Sequence, residues 1–115
     1  MSDENRDAQV VERLYALILS RRGADPAFSY TAKLFAKGRR KIAQKVGEEA
    51  VEAVIAAVDE GRKDLIGESA DLLYHLMVLW ADCGISPADV YAELARREGT
   101  SGVDEKKLRK KDVQD

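Results

Sequence analysis

Four acidic residues are spaced in two pairs that could bind a divalent cation. Glu49 and Glu52 form an E-x-x-E pair, and Glu68 and Asp71 form an E-x-x-D pair. A spacing of three puts both members of a pair on one face of a helix. Carboxylate oxygens are the ligands that hard cations such as Mg²⁺ prefer. One such pair is common in any charged helix, but two pairs on consecutive helices predict a metal site.

The position of Glu68 strengthens this prediction. On a helical projection Glu68 falls inside an apolar stripe, and its neighbours one turn away include no cation. A carboxylate that faces a core is unfavourable unless positive charge meets it. We expect Glu49 and Glu52 to approach from the preceding helix, which gathers acids that need a cation. The stripe consists of Leu65, Leu72, Leu76 and Leu79.

A basic segment precedes the acidic one. Residues 29–47 contain six basic side chains and no acid, whereas residues 48–71 contain eight acids against Arg62 and Lys63. This order suits an anionic substrate that carries metal ions, and the alternative is a pair of solvated helix faces. The six basic residues are Lys33, Lys37, Arg39, Arg40, Lys41 and Lys45.

Helical spacing of apolar residues dominates the chain, and no strand-like alternation occurs. We predict an all-α bundle of four to five helices in one domain over residues 1–115, with a charged, frayed tail from about residue 107. Pro26 and Pro87 are each expected at a helix start. The predicted helices are a first one with Val10, Leu14, Leu17 and Ile18 on one face, ending near Gly23, and then 28–37, 39–60, 63–83 and 87–98.

The segment LLYHLMVLW, residues 72–80, is apolar nearly all round. A helix of that kind is enclosed by other helices, and a chain of 115 residues has few to offer. We therefore predict that dimerisation completes the bundle. The alternative is that the terminal helices of the same chain cover this segment.

Composition excludes several classes of protein. The formal net charge is −2, which argues against a wholly basic nucleic-acid binder and an acidic disordered chain. A single cysteine permits neither an intrachain disulfide nor a cysteine zinc cluster, so we expect a reducing, cytoplasmic location. The polar N-terminus is unlike a secretory signal, and no apolar run approaches the roughly 20 residues of a membrane helix.

Three segments resemble a known family: SYTAKLFAKGRRKIAQKVGEEAVE (29–52), ESADLLYHLMVLW (68–80) and SGVDEK (101–106). The two acidic pairs resemble those of the all-α, MazG-like nucleotide pyrophosphohydrolases. Within that superfamily the ordered combination of S-Y-T, K-V-G-E-E, D-L-L-Y-H and S-G-x-x-E-K resembles the phosphoribosyl-ATP pyrophosphohydrolase family. The resemblance covers roughly residues 11–106.

The resemblance implies hydrolysis of phosphoribosyl-ATP to phosphoribosyl-AMP and pyrophosphate, the second step of histidine biosynthesis. It implies Mg²⁺, with Mn²⁺ as a substitute, a homodimer, and a functional link to a separate phosphoribosyl-AMP cyclohydrolase. The implied metal ligands are Glu49, Glu52, Glu68 and Asp71. Glu48 and Glu49 are the implied catalytic acids, and the phosphate-binding candidates are Lys45, Lys33, Lys37, Arg39 and Arg40.

Three other functions stay open at the level of sequence. A housecleaning pyrophosphohydrolase of dUTP, dCTP or damaged triphosphates would use the same metal site. A non-enzymatic nucleic-acid binder would use the basic segment and the tail from Lys106, but the eight acids beside that segment argue against it. A helical dimer without chemistry leaves Glu68 unexplained. We therefore expect neither nucleic acid nor membrane as a partner.

Overall fold

In a computed structural model, which describes residues 7–99, 106, 107, 109 and 110, the chain forms five α-helices and, over those residues, no strand. This confirms the all-α prediction, whereas the single domain over 1–115 stays a prediction. Residues 101–105 of the SGVDEK motif and most of the charged tail lie outside the described part. The helices are α1 (Gln9–Ser20), α2 (Tyr30–Lys37), α3 (Arg39–Asp59), α4 (Arg62–Asp82) and α5 (Pro87–Arg97).

Two helices begin at serine caps. The Ser29 side chain accepts a hydrogen bond from the backbone N–H of Ala32, which fixes the first turn of α2. At α5, Ser86 and Asp89 exchange side-chain and backbone hydrogen bonds in a capping box, with Pro87 at the first helical position. The prediction of a helix start at Pro87 is therefore confirmed.

The predicted helix start at Pro26 is wrong. Residues 26–28 form a turn in which the Asp25 carboxylate accepts a hydrogen bond from the backbone N–H of Ala27. Phe28 lies in this turn with 89% of its surface exposed, so α2 begins at Tyr30 and not at residue 28. The Ser29 cap sets the boundary because its extended backbone interrupts helical geometry between the turn and α2.

The α3–α4 hairpin carries both acidic pairs. The two helices, each of 21 residues, pack more extensively than any other helix pair and are joined by only Glu60 and Gly61. So short a connection makes them antiparallel neighbours. Gly38, between α2 and α3, has a φ of +94°, a conformation that a side chain would strain.

The apolar core lies at one end of this hairpin, where α1 and α2 pack against the start of α3 and the end of α4. Its buried residues are Tyr15, Ile18, Leu34, Ile42, Met77, Val78 and Ala81. At the other end no third helix of the described chain covers α3, and four apolar side chains one turn apart stay exposed. We call them the valine stripe: Val51, Val54, Ile55 and Val58.

The predicted apolar faces differ from the observed ones in detail. On α3 helical spacing relates Ile42, Val46, Ala50, Ala53 and Ala57, yet Ala57 is exposed and Ala56 is buried in its place. On α4 the leucine stripe is only half-buried, and Leu73 is 39% exposed. Val10 and Leu17 of α1 are likewise exposed. None of the described helices is long and apolar enough to cross a membrane.

Candidate metal and phosphate site

The antiparallel packing of α3 and α4 brings acids from both pairs together. One carboxylate oxygen each from Glu49, Glu68 and Asp71 lies within 4.8 Å of the others. Glu49 is buried, Glu68 is half-buried and Asp71 is exposed, so the group opens from the helix interface to solvent. Glu52 stands beside Glu49 and Glu68, close enough to act on both carboxylates. We call these four residues the acid cluster.

Two oxygens of the acid cluster lack any partner. Glu49 Oε2 and Glu68 Oε2 are shielded from solvent, and neither has a hydrogen-bond partner in the described part of the chain. Burial raises the pKa of Glu68 to about 7, and the carboxylates of Glu52, Asp71 and Glu49 add to the shift. Burial, followed by Glu52, also raises the pKa of Glu49. The cluster therefore holds negative charge that its own surroundings do not neutralise.

This arrangement fits a divalent cation. Shielded, unpartnered carboxylate oxygens are the donor set that Mg²⁺ takes, and Mg²⁺–oxygen distances near 2.0–2.1 Å put opposite ligands about 4.2 Å apart. The observed 4.8 Å limit is close to that span. An open cavity of about 270 Å³ adjoins the cluster and gives a ligand access; it is lined by Glu52, Ile55, Glu60 and Glu68.

Lys45 is the cation nearest in sequence to the cluster, and it pairs with Glu48. Lys45 Nζ lies 3.3 Å from Glu48 Oε2, and the Gln44 amide donates to Glu48 Oε1 at 2.7 Å. These hydrogen bonds lower the pKa of Glu48, the Gln44 bond most. Glu48 is thus turned toward α3 neighbours, and the structure does not bring it into the acid cluster.

The side chains of the other basic candidates make no ion pair with the acid cluster in the described part of the chain. Arg39 donates from Nε to Asp82 Oδ2 at 2.9 Å and from NH2 to the Asp82 carbonyl at 3.1 Å. Asp82 ends α4, roughly 16 Å along the axis from Asp71 at 1.5 Å per residue. Lys33, Lys37 and Arg40 are exposed, and none of their side chains makes a hydrogen bond or ion pair with a described residue.

Sequence reasoning missed one contact at the site. The Tyr30 hydroxyl lies 2.8 Å from His75 Nε2, and His75 Nδ1 lies 2.7 Å from the backbone carbonyl oxygen of Asp71. Spacing along α4 placed His75 one turn after Asp71, but it could not show that α2 supplies a partner. The only signal was the presence of Tyr30 and His75 in two of the matched motifs.

The sequence matches the phosphoribosyl-ATP pyrophosphohydrolase family over residues 11–98. It is similar to proteins named phosphoribosyl-ATP pyrophosphatase from several bacteria. The relative from Paramagnetospirillum magneticum is 68% identical over 106 residues, 92% of this chain and 97% of that protein. The relative from Azospirillum brasilense is 61% identical over 110 residues, 96% of this chain and 99% of that protein.

An all-α fold with a carboxylate cluster between two long helices is typical of a nucleotide pyrophosphohydrolase. The match identifies the family within this class, because it spans α1 to α5 and includes both acidic pairs. The chain belongs to the phosphoribosyl-ATP pyrophosphohydrolase family.

Proposed function

We propose that this chain hydrolyses phosphoribosyl-ATP to phosphoribosyl-AMP and pyrophosphate with the help of Mg²⁺. The observation that carries the proposal is the pair of shielded, unpartnered oxygens on Glu49 and Glu68, in a chain of this family. In a helical protein without a ligand such carboxylates would only destabilise the fold, because their burial without a cation is unfavourable. A nucleotide polyphosphate that arrives with a divalent cation supplies the missing positive charge.

We propose that Glu49, Glu52, Glu68 and Asp71 hold the metal, for which Mn²⁺ could substitute. When bound, Mg²⁺ would neutralise phosphate charge, orient the triphosphate and acidify the attacking water. Glu49 is buried at the base of the cluster, so we assign it as the carboxylate that also orients that water. Glu48, the second catalytic candidate, is bonded to Lys45 and Gln44, and from there it would act by holding Lys45.

Lys45 is our first choice for a phosphate contact. It is half-buried and held by Glu48, and both Glu48 and Glu49 act on it electrostatically. It therefore borders the acid cluster, where a phosphate would meet it. Lys33, Lys37 and Arg40 are exposed and free to move toward a second phosphate, whereas Arg39 is committed to Asp82.

The direct test is pyrophosphate release from phosphoribosyl-ATP, with dUTP, dCTP and ATP alongside, each with Mg²⁺ and with EDTA. We expect Mg²⁺-dependent turnover of phosphoribosyl-ATP and little turnover of the simple triphosphates. Preference for dUTP or dCTP would transfer the same site to a housecleaning reaction. Turnover that is undiminished in EDTA would contradict the metal assignment.

The matched variants are Glu68→Gln and Glu12→Gln. Glu68→Gln keeps the shape of the side chain and removes a ligand charge, so we expect turnover to fall by at least about a hundredfold. Glu12 is exposed on α1, away from the acid cluster, and Glu12→Gln should leave turnover at the wild-type rate. A folded Glu68→Gln protein with full Mg²⁺-dependent activity would refute the central assignment.

We further propose a homodimer that covers the valine stripe. Val54 and Val58 are 61% and 74% exposed, and Ile66 of α4 is 54% exposed at the same end of the hairpin. Burial of such residues contributes about 25 cal/mol per Å² of apolar surface. We expect light scattering to give a dimer mass for the wild type and a monomer mass for Val58→Glu. A monomeric wild type would refute this.

The proposed reaction also suggests where the protein works. Its product, phosphoribosyl-AMP, is the substrate of a phosphoribosyl-AMP cyclohydrolase, which is the basis of the proposed functional link. We place the reaction in the cytoplasm because the only cysteine, Cys83, has no partner with which to form a disulfide within the chain.

A further inference from the structure

Tyr30 joins the first turn of α2 to α4 at the edge of the acid cluster. Its hydroxyl lies 2.8 Å from His75 Nε2, and the two rings meet edge to face with centroids 5.8 Å apart. The two residues differ in exposure: 52% of Tyr30 is accessible, whereas His75 is only 6% accessible. A buried imidazole thus fixes a phenol that solvent and ligands can reach.

The direction of the proton follows from the second nitrogen of His75. Nδ1 lies 2.7 Å from the backbone carbonyl oxygen of Asp71, and a carbonyl can only accept a hydrogen bond. Nδ1 must therefore carry the hydrogen. We take His75 in its neutral form, which has one N–H, so Nε2 is the acceptor and the Tyr30 hydroxyl donates to it.

The Tyr30 oxygen is left with its lone pairs free. No hydrogen-bond donor of the described chain reaches it, since its one hydrogen bond is the one that it donates to His75. Lys45, Glu49 and Glu48 all act electrostatically on this phenol. The phenol therefore lies within electrostatic range of Glu49 in the acid cluster and of the Lys45–Glu48 ion pair, the groups that are proposed to hold the substrate.

An oxygen that can only accept does not suit a phosphate. Ionised phosphate oxygens need donors, and the proton of Tyr30 is already committed to His75. The groups of a ribonucleotide that do donate are its sugar hydroxyls and the N–H groups of its base, and of these the sugar lies nearer to the phosphates that the acid cluster is proposed to hold. The chemistry of this position thus selects the sugar and not the phosphate chain.

We propose that the Tyr30 hydroxyl accepts a hydrogen bond from a ribose hydroxyl of the substrate, and that His75 is the positioning residue that orients it. This rests on the proposed function for the identity of the substrate. A purely structural tie between α2 and α4 is a weaker explanation, because the adjacent Thr31 hydroxyl already makes one with the Tyr74 hydroxyl. The Tyr30–His75 hydrogen bond adds an open acceptor, which a tie does not need.

Kinetics of Tyr30→Phe test the proposal with two ligands. We expect the KM for phosphoribosyl-ATP to rise roughly two- to tenfold, the effect of one neutral hydrogen bond, with a smaller change in kcat. Inhibition by tripolyphosphate, which has phosphates but no sugar, should be unchanged. Equal weakening of both ligands, or no change in either, would overturn the proposal.

Tyr15→Phe is the matched control. The Tyr15 hydroxyl also makes one hydrogen bond, to the Ile85 carbonyl, but it lies in the core. We expect this variant to lower the melting temperature and leave the KM for phosphoribosyl-ATP unchanged. A rise in KM equal to that of Tyr30→Phe would make the Tyr30 effect a general consequence of destabilisation and overturn the proposal.

A second variant and a spectroscopic measurement do not depend on the folding of Tyr30→Phe. His75→Phe keeps a ring but removes the acceptor, and we expect the same selective rise in KM without an effect on tripolyphosphate. Equal effects on both ligands, or none, would overturn the role of His75.

His75 is the only histidine of the chain, so ¹⁵N NMR of untagged protein reports on it alone. A protonated Nδ1 and an unprotonated Nε2 are expected; a hydrogen on Nε2 would overturn the proposal.

These outcomes are separable from those that test the reaction itself. If wild-type protein does not release pyrophosphate from phosphoribosyl-ATP, the proposed function fails, whatever Tyr30 does. If it does so and Tyr30→Phe is indistinguishable from wild type with both ligands, only the assignment of Tyr30 fails. The histidine tautomer is measured without substrate or metal and bears on Tyr30 alone.

Discussion

Helix α4 carries shielded carboxylates at two places, and they are neutralised in different ways. Near its end, Asp82 is 16% exposed at the side chain and faces two arginines, with Arg39 Nε at 2.9 Å and Arg22 NH2 at 3.6 Å. Arg22 in turn lies over the Phe35 ring, 5.1 Å from its centroid. In the first half of α4, Glu68 meets Glu49, Glu52 and Asp71.

The difference teaches how to separate a structural carboxylate from a functional one. Burial alone does not do it, since both places shield acidic oxygens from solvent. The charge of the surroundings does: two arginines face Asp82, whereas the groups that face Glu68 are other carboxylates. Groups with unfavourable burial and like-charge neighbours concentrate at functional sites.

The largest effect we expect is on activity, when a carboxylate is replaced by an amide. The replacement should abolish most activity in the acid cluster and have little effect at Asp82. Glu49→Gln should reduce Mg²⁺-dependent pyrophosphate release by a hundredfold or more, because it removes a buried ligand charge. Asp82→Asn should keep activity within about twofold. Steady-state assays at saturating Mg²⁺ measure both. A strong loss of activity in Asp82→Asn would erase the distinction.

Addition of metal should stabilise the protein through the acid cluster only. At a free Mg²⁺ concentration one hundred times its Kd, binding stabilises the folded state by about 2.7 kcal/mol. We expect the melting temperature of wild type and Asp82→Asn to rise by several degrees on addition of Mg²⁺, and that of Glu68→Gln to rise much less. Scanning calorimetry with Mg²⁺ and with EDTA gives these values.

The pH dependence of stability sharpens the same contrast. The folded pKa of Glu68, about 7, lies above its ordinary value of 4.5, so folded protein holds this proton more tightly than unfolded chain. In EDTA, the free energy of unfolding of wild type relative to Glu68→Gln should fall as pH rises from about 4.5 to 7 and then level off. Urea denaturation over this range measures the difference. A rise with pH would contradict the shift.

The smallest effect we expect is the loss of stability when Asp82, which is paired with two arginines, is changed. Arg22 and Arg39 are about half and two-thirds exposed at the side chain, so their ion pairs with Asp82 are screened by solvent. Asp82→Asn should therefore cost about 1 kcal/mol or less of unfolding free energy. Urea denaturation in low and high salt measures this loss, which should shrink with added salt. A loss that persists unchanged in high salt would indicate packing and not charge.

Sequence periodicity predicts four to five helices, and the described residues form five, because several of the boundaries have a local cause. Ser86 and Pro87 start α5, and the region of Gly61 separates α3 from α4. The error at Pro26 has a local cause too: Asp25 caps a turn, and Ser29 then caps the helix. Both residues favour such positions, and spacing alone does not decide which of them begins the helix.

The spacing of three residues predicts a metal site made of the four acids, because both members of each pair lie on one face of the same helix. Spacing along one helix does not predict contacts between helices. Its place in the basic segment makes Arg39 a phosphate-binding candidate, whereas its pairing with Asp82 depends on how α3 and α4 are aligned. The hydrogen bond between Tyr30 and His75 depends in the same way on the placement of α2.

The two-residue connection between α3 and α4 determines how the chain could be permuted without dividing the site. All four members of the acid cluster lie within residues 49–71, on one uninterrupted stretch of chain that crosses only Glu60 and Gly61 between helices. The loop entropy needed to bring them together is correspondingly small. Circular permutation at the α2–α3 bend or before α5 would therefore leave the acids on one segment, and the cluster can be inherited as a unit while the surrounding helices are rearranged.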